Sequence, residues 1–218
     1  MTKTTGVGRP RASGAAASKR EARLAVLDAA GELFTGAGYA ATTTRAIAER
    51  AGLRQASLYY HFPSKEDILA ALLEDTVRPS LDVAGGLSAK LAPVGTRLWA
   101  LAYADIHLLG SARHNLGALY LLPEISSPRL ARFRAERAEL KRVYGSLVAA
   151  AGVPGDLRGI RTDLVFGLVE SIAIVRRDQP DLDVEAHAVE GADGVLRLAG
   201  LGEPDAALRE AGRDLLEG

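Results

Sequence analysis

The apolar positions of this chain recur at helical spacing, three or four residues apart, and the strand-like alternation of β-branched residues is absent from the sequence. The pattern predicts an all-α protein with helices near 18–36, twice between 42 and 62, from 64 to about 79, and at 93–112, 116–122, 128–151, 156–176 and 180–201. Pro79 is expected to bend or stop its helix, and Gly85-Gly86 to begin a looser joint. Residues 203–218 repeat apolar groups and either cap the bundle or fray. In the first helix the stripe expected to be buried is Leu24, Leu27, Ala30 or Gly31, and Phe34.

The segment between residues 42 and 62 predicts two short helices joined by a tight turn. Ile47 and Ala48 share one buried stripe of the first helix. Gly52 is expected to end that helix, because glycine enters a left-handed cap without a side-chain penalty. Leu53 then returns to the core. This arrangement is a helix-turn-helix.

The second of these helices, about 54–60, turns Leu58 inward, with Phe62 one turn later. Glutamine can bridge adenine in the major groove, arginine can bind guanine, and an alanine methyl can contact a thymine methyl. Serine, tyrosine and histidine can bind phosphates. The alternative is a three-helix structural element with a mixed surface, since this geometry also occurs outside DNA-binding proteins. The residues left on the outer surface are Gln55, Ala56, Ser57, Tyr59 and Tyr60.

After Pro63, Ser64 is typical of a helix cap, with Asp67 placed to reach back to it. Lys65 occupies the first position of the new helix, where a cation opposes the macrodipole by about 0.3–1 kcal/mol. An external anion would resolve this conflict. A DNA phosphate bound by Lys65 and the free amides is the simplest candidate.

The stretch from about Lys19 to Leu73 resembles the DNA-binding domain of the tetracycline-repressor (TetR) family of bacterial regulators. The resemblance implies a three-helix DNA-binding domain at 18–66 and a helical ligand-binding and dimerisation domain at 67–218. Arg54 departs from the family, which often has a capping serine or threonine there, and a longer reach into DNA is expected in its place. The elements that agree in order and spacing are Phe34, Gly38-Tyr39, the threonine run, Ile47-Ala48, Ala51-Gly52-Leu53, Leu58-Tyr59, His61-Phe62 and Ser64-Lys65-Glu66.

The resemblance also implies a function. The family implies a homodimeric repressor that leaves an inverted-repeat operator, with half-sites about 34–36 Å apart or more, when a small molecule binds the C-terminal domain. The alternative is an architectural protein that binds double-stranded DNA without an effector. Residues expected on phosphates are Thr43, Thr44, Tyr59, Tyr60, His61 and Lys65, and those expected on bases are Arg45, Arg54, Gln55, Ala56 and Ser57.

The net charge of zero is unevenly distributed, with a balance of +5 up to Glu66 and −5 beyond it. The arm at residues 1–17 contains basic residues and no acid among small polar ones, and we expect it to be disordered alone. Gly8-Arg9-Pro10-Arg11 resembles the core of hooks that enter a narrow minor groove. Arg9 and Arg11 are therefore candidate DNA contacts, and the alternative is a solubilising tail.

Composition narrows the function classes further. The chain has no cysteine, which excludes disulfides, thiolate metal sites and thiol nucleophiles. Apolar runs fall short of the roughly 18–20 residues of a membrane span and the first residues lack the centre of a signal peptide, so we expect a cytoplasmic protein that does not insert into membranes. A phosphate loop, a nucleophile elbow and an evident acid–base constellation are all missing from the sequence, so an enzyme is not expected.

The helices at 156–176 and 180–201 are assigned by the resemblance to dimerisation, as a four-helix bundle with a second copy. Gly167, Gly191 and Gly194 lie within them. Each costs about 1 kcal/mol relative to alanine in a helix interior. A close helix crossing would justify them.

The C-terminal half offers candidate ligand contacts but no cofactor or metal site. His107 and His114 stand two turns apart, whereas helical metal ligands are usually three or four residues apart. The 93–112 helix has two adjoining apolar stripes, of which one can border a cavity. The alternative is that the aromatic residues form core and the polar ones are paired or partly solvated. The candidates for an unidentified small-molecule effector are Trp99, Tyr103, His107, Tyr120, Phe133, Tyr144, Phe166 and Glu170.

Overall fold

The computed structural model describes the backbone of residues 12–217 and the side chains of residues 18–217, and this part of the chain is all-α, without strands. Tight 3₁₀ turns at Leu116–Leu121, Pro123–Ser126 and Pro128–Leu130 lie between the fifth and sixth helices. The α-helices are α1 (Ala12–Gly36), α2 (Thr44–Arg50), α3 (Gln55–His61), α4 (Lys65–Ser88), α5 (Val94–Ser111), α6 (Ala131–Ala150), α7 (Gly155–Glu170), α8 (Ile172–Asp178), α9 (Val184–Leu198) and α10 (Ala206–Glu217).

The first helix differs from its prediction at two points. Because α1 begins at Ala12, residues 12–17 of the predicted arm are helical, while Arg9 and Arg11 lie outside the described residues. Leu24 was expected in the core, but 51% of it is exposed. Leu27 and Phe34 are buried as predicted. Leu24 lies three residues before Leu27, slightly less than one helical turn. Its side chain is therefore displaced by about 60° around the helix axis from that of Leu27, and it falls outside the buried stripe.

The sequence predicted a bend or a stop at Pro79 and a looser joint at Gly85-Gly86; the stop and the joint are wrong, since α4 continues through Pro79 and the glycine pair to Ser88. Proline lacks the amide that would bond the carbonyl four residues earlier. Pro79 is exposed, whereas Val77 and Ser80 on either side are buried against the rest of the bundle. Packing on the inner face therefore holds the helix together across the missing bond. A single helix therefore runs from the cap at Ser64 into the C-terminal part of the chain.

The predicted helix at 156–176 is divided at Ser171 into α7 and α8. The Ser171 hydroxyl donates to the Leu168 carbonyl at 2.6 Å, and its amide is shared between the carbonyls of Gly167 and Leu168. A serine that bonds the preceding turn competes with the regular helical ladder. The hydrogen bonds of Ser171 therefore mark the break.

Close crossing explains two of the three helical glycines. A Cβ at Gly191 would lie 2.6 Å from the Ile106 side chain, and one at Gly194 would lie 3.0 Å from Leu168. Gly167 instead faces open space and is exposed. Crossing within this chain therefore does not account for Gly167.

The C-terminal segment caps the bundle, which was one of its two predicted arrangements. Helix α10 lies against α5, and Gly212 is buried so closely on Trp99 that a Cβ there would be 2.4 Å from the indole ring. Trp99 itself has no exposed surface. Helix α5 is consequently covered on two sides, as its two apolar stripes predicted.

Candidate nucleic-acid interface

Helices α2 and α3 form the predicted helix-turn-helix. Thr43 caps α2, its hydroxyl accepting the Ala46 amide at 3.1 Å. Gly52 has φ +68°, and the Leu53 amide then donates to the Ala48 carbonyl at 2.9 Å. This is the left-handed termination that a glycine at this position predicts.

Helix α3 buries Leu58 completely and exposes its outer face. Tyr59 is 45% exposed and Tyr60 is 72% exposed, which is unusual for large aromatic side chains. Arg54, at the cap position, makes no side-chain capping bond to the helix, as its departure from the family pattern predicted. The other residues on this face, all exposed, are Gln55, Ala56 and Ser57.

Hydrogen bonds connect the polar surfaces of the two helices. The hydroxyls of Thr44 and Tyr59 lie 3.0 Å apart, and the Gln55 amide nitrogen donates to Thr44 at 3.3 Å. Arg45 is paired instead with Glu49 at 2.8 Å. Both are well exposed, and this hydrogen bond raises the pKa of the Arg45 guanidinium. An exposed pair of this kind is weak and readily exchanged for a phosphate or base.

Lys65 resolves its conflict with the helix dipole inside the protein rather than through an external anion. Its ammonium donates to the carbonyls of Tyr39 at 2.8 Å and Thr42 at 2.9 Å, and lies 4.2 Å from the Tyr39 ring centroid. Burial raises the pKa of the Tyr39 phenol to about 12, with the negative charges of Glu66 and Glu124 adding to the effect. Lys65 thus fixes the segment between α1 and α2 to the start of α4. The predicted phosphate contact stays a prediction, for which one N–H of the ammonium remains.

An open groove of about 800 Å³ separates α3 from the N-terminal half of α1. The Lys19 ammonium lies 3.4 Å from the Tyr60 hydroxyl and 4.8 Å from the centroid of its ring. His61 lines the same groove. Lys19 was missed as a candidate DNA contact, although its positive charge at the start of the first helix is the signal that could have indicated it.

The predicted ligand contacts do not meet in one cavity. Trp99, Tyr103 and His107 stack in a row along α5, with ring centroids 5.1 Å and 5.8 Å apart. Tyr120, Phe166 and Glu170 line a central cavity of only about 10 Å³, well below the size of a typical ligand site, while the Phe133 and Tyr144 rings pack against those of Tyr120 and Phe166. Most of these aromatic residues are therefore core.

A polar network fills the centre of the C-terminal domain. Asp105 is 3% exposed and accepts hydrogen bonds from Ser80 at 2.6 Å and Tyr144 at 3.0 Å. Burial raises the pKa of the Asp105 carboxyl to about 6 despite these bonds. Beside it, Arg137 forms a two-point ion pair with Glu170, one bond of which measures 2.6 Å. Sequence reasoning did not identify Arg137 or Ser80, because their partners lie on distant helices.

The two histidines that the sequence placed two turns apart serve different contacts. His114 pairs with Asp28 of α1 at 2.9 Å, and His107 lies near Ser111 and the Tyr103 ring. Asp28 also pairs with Arg113 at 2.6 Å. These contacts join the segment that follows α5 to α1. None of the described helices is long and apolar enough to cross a bilayer.

Residues 26–72 match the family described as "Bacterial regulatory proteins, tetR family". The "HTH-type transcriptional repressor KstR2" of Rhodococcus jostii (strain RHA1) is 29% identical over 193 residues, which cover 84% of this chain and 92% of the relative. The class C tetracycline repressor protein of Escherichia coli is 46% identical over 52 residues, 24% of either chain. The crystal structure of Mycobacterium smegmatis AmtR superposes with a TM-score of 0.82 at 45% identity, covering 89% of this chain and 94% of AmtR.

Proposed function

The chain belongs to the TetR family of bacterial regulatory proteins, and from this premise we propose that it is a homodimeric repressor that a small molecule releases from an inverted-repeat operator. Membership makes the chain a DNA-binding transcriptional regulator and not an enzyme, as its sequence predicted. Repression is supported by the Rhodococcus relative, which is named a repressor. The proposal includes a cytoplasmic location, where the chromosome is accessible.

The exposed outer face of α3 is the observation that carries the proposal. Gln55, Ala56 and Ser57 stand at the start of this helix, where they can reach base edges in a major groove, and Arg54 precedes them without a competing local bond. The proposed phosphate contacts lie on either side of these base-reading residues. They are Thr43, Thr44, Tyr59, Tyr60, His61 and Lys65, together with Lys19 across the groove.

Dimerisation is supported by the outer face of α7. Ile160 and Leu164 are 60% and 52% exposed, and Gly167 continues the same helical stripe with nothing within 4 Å of its Cβ position. Exposed apolar side chains in one row are typical of an interface. A second copy that packs α7 and α9 against this face would cover Ile160 and Leu164 and approach Gly167, which also borders the cleft beside the 3₁₀ turn at Leu116–Leu121. The two recognition helices would then face successive grooves of one inverted repeat.

The small central cavity is the observation that favours the alternative function, an architectural protein without an effector. Its volume of about 10 Å³ leaves no room for a ligand unless side chains move. Two clefts of about 220 Å³ and 390 Å³ open elsewhere on the C-terminal domain, so effector binding is not confined to the centre. Loss of DNA binding on addition of a small molecule would exclude the architectural function.

The first experiment is the selection of genomic fragments by the purified protein at physiological salt, followed by footprinting. Recovery of a single inverted repeat with protection of both half-sites would support a specific dimeric regulator. Fragments without a common sequence, bound with strong salt dependence, would contradict the repressor and support the architectural protein. Sedimentation at the same concentration would test the dimer independently.

A further inference from the structure

A cleft of about 220 Å³ lies between the 3₁₀ turn at Leu116–Leu121 and the broken helix α7–α8. Its walls are mainly apolar, with Ala118 and Leu121 on the turn and Ala173 and Ile174 on α8. Leu121 is 82% exposed and Ile174 is 50% exposed, so apolar surface faces solvent here. Drug-sized ligands occupy about 300–1,000 Å³. The cleft therefore fits a smaller molecule with an apolar body.

Two charged residues at the cleft determine where the polar group of such a molecule can bind. Glu170 lines the cleft, but both of its oxygens are bound by Arg137, and its negative charge disfavours an anion at that end. Arg177 also lines the cleft and pairs only with its neighbour Asp178, at 2.9 Å, among the described residues. Both partners are more than half exposed, and a pair of this kind contributes little. The planar guanidinium of Arg177 can bind a ligand carboxylate through two parallel hydrogen bonds.

The wall formed by the 3₁₀ turn is in tight contact with α8. A Cβ at Gly117 would lie 2.7 Å from that of Ala173, and the Asn115 side-chain amide donates to the Ala173 carbonyl at 2.6 Å. These contacts leave no slack between the two walls. A molecule that wedges between the two walls therefore displaces the turn relative to α8 as a unit, because packed interiors transmit displacement.

The same turn is in direct contact with the DNA-binding domain. His114, which precedes Asn115, binds Asp28 at 2.9 Å, and its ring lies 2.7 Å from the Cβ position of Gly31 on α1. From the cleft side, the Tyr120 hydroxyl lies 2.6 Å from that of Thr76 on α4. The turn that forms one wall of the cleft is thus in contact with both α1 and α4.

We infer that this cleft is the effector site and that it binds a small amphipathic carboxylate, with the apolar body between the turn and α8 and the carboxylate on Arg177. Occupancy moves the turn and, through His114, shifts α1. The binding site stands on the geometry of the cleft, whereas release from DNA rests on the proposed repressor function.

The absence of cysteine from the sequence allows a direct test of binding. In Ala118→Cys the exposed cleft position carries the only thiol, and its alkylation rate is measured with hexanoate, benzoate and their uncharged amides. Both acids should slow alkylation at least fivefold, and the amides should not. The matched control is Ala138→Cys, an exposed position on α6 whose rate should stay constant. Equal rates with acids and amides would overturn the inference.

Two further variants separate the carboxylate contact from the apolar wall. Arg177→Gln should weaken protection by the acids about tenfold, while Arg142→Gln, which removes an exposed arginine paired on its own helix, should not. Ala118→Leu should fill the cleft and abolish the rise in Tm that the acids give the wild-type protein, without lowering Tm in their absence. Protection that rises with protein concentration in the absence of acid would assign the cleft to a second copy of the chain and overturn the inference.

The consequence for DNA is measured with the operator fragment recovered by selection. Hexanoate should release the wild-type protein but not Ala118→Leu. Protection by acids without a specific operator would contradict the proposed function and leave the site intact. A specific operator whose protein shows no acid protection would overturn the site and leave the repressor intact.

Discussion

Arg209 of α10 binds the carboxylate of Asp193 at 2.6 Å, and Asp193 has no exposed surface. The indole nitrogen of Trp99 donates to the same carboxylate at 2.8 Å. A buried charge requires a partner, and the cation comes here from the last helix of the chain. Helix α10 therefore contributes to the stability of the bundle.

The first prediction concerns this pair. Arg209→Met should lower Tm by roughly 10 °C, because it leaves Asp193 buried without a cation. The double variant with Asp193→Asn should recover most of the loss, since the amide oxygen still accepts from Trp99. Unfolding is followed by the fluorescence of Trp99, the only tryptophan. As a control, Arg197→Met removes an exposed pair with Glu203 and should change Tm little. Equal losses in the single and double variants would contradict the role of the pair.

The buried carboxyl of Asp105 predicts a pH dependence of stability. Its pKa is raised to about 6 by burial, with the hydrogen bonds from Ser80 and Tyr144 opposing and the charge of Glu170 adding to the rise. The folded state then holds the proton more tightly than the unfolded state. Stability from this group is fully present below pH 3.8 and is lost as pH rises through about 6. At pH 8 the loss is of the order of 3 kcal/mol.

Asp105→Asn removes this titration. The difference in unfolding free energy between Asp105→Asn and wild type should grow in favour of the variant between pH 4 and pH 8, because the amide side chain carries no charge to bury. Other titrating groups cancel in the difference. The measurement is urea unfolding at five pH values, and a difference that stays constant over this range would show that Asp105 does not titrate as the burial implies.

Local patterns predicted the DNA-binding domain because its signals lie close together in sequence. Gly52 alone determines the left-handed turn, and Leu58 with Phe62 determines which face of α3 is outside. Lys65 shows the limit of this reasoning. Its charge at a helix start correctly indicates a conflict, but its carbonyl partners at Tyr39 and Thr42 lie more than twenty residues away.

The C-terminal domain was less predictable because its polar side chains pair across distant helices. The sequence placed Tyr144 and Glu170 among possible ligand contacts, and in the structure their partners are Asp105 and Arg137. Helical periodicity indicates which faces are apolar. It does not indicate whether two such faces enclose a cavity or close on each other. Such closure leaves the central cavity at about 10 Å³.

The third prediction concerns base recognition. Gln55→Ala should relax discrimination at one base position by about 1–3 kcal/mol, because alanine cannot make the bidentate contact with adenine that we propose for Gln55. The measurement is binding to operator fragments with each base substituted in turn. Gln179→Ala, at an exposed position between α8 and α9, is the matched control and should bind all fragments like wild type. A uniform loss across fragments would instead place Gln55 on the backbone.

The last prediction separates the two contacts of Lys65. Lys65→Gln should weaken all DNA sequences alike, since the residue fixes the segment between α1 and α2 and its remaining N–H is free for a phosphate. A phosphate contact also contributes to counterion release, so the slope of log affinity against log salt should fall by about one unit. Lys141→Gln, at a site on α6 paired with Asp163, should leave both quantities unchanged. Weaker binding with an unchanged salt slope would show that Lys65 only stabilises the fold and does not contact a phosphate.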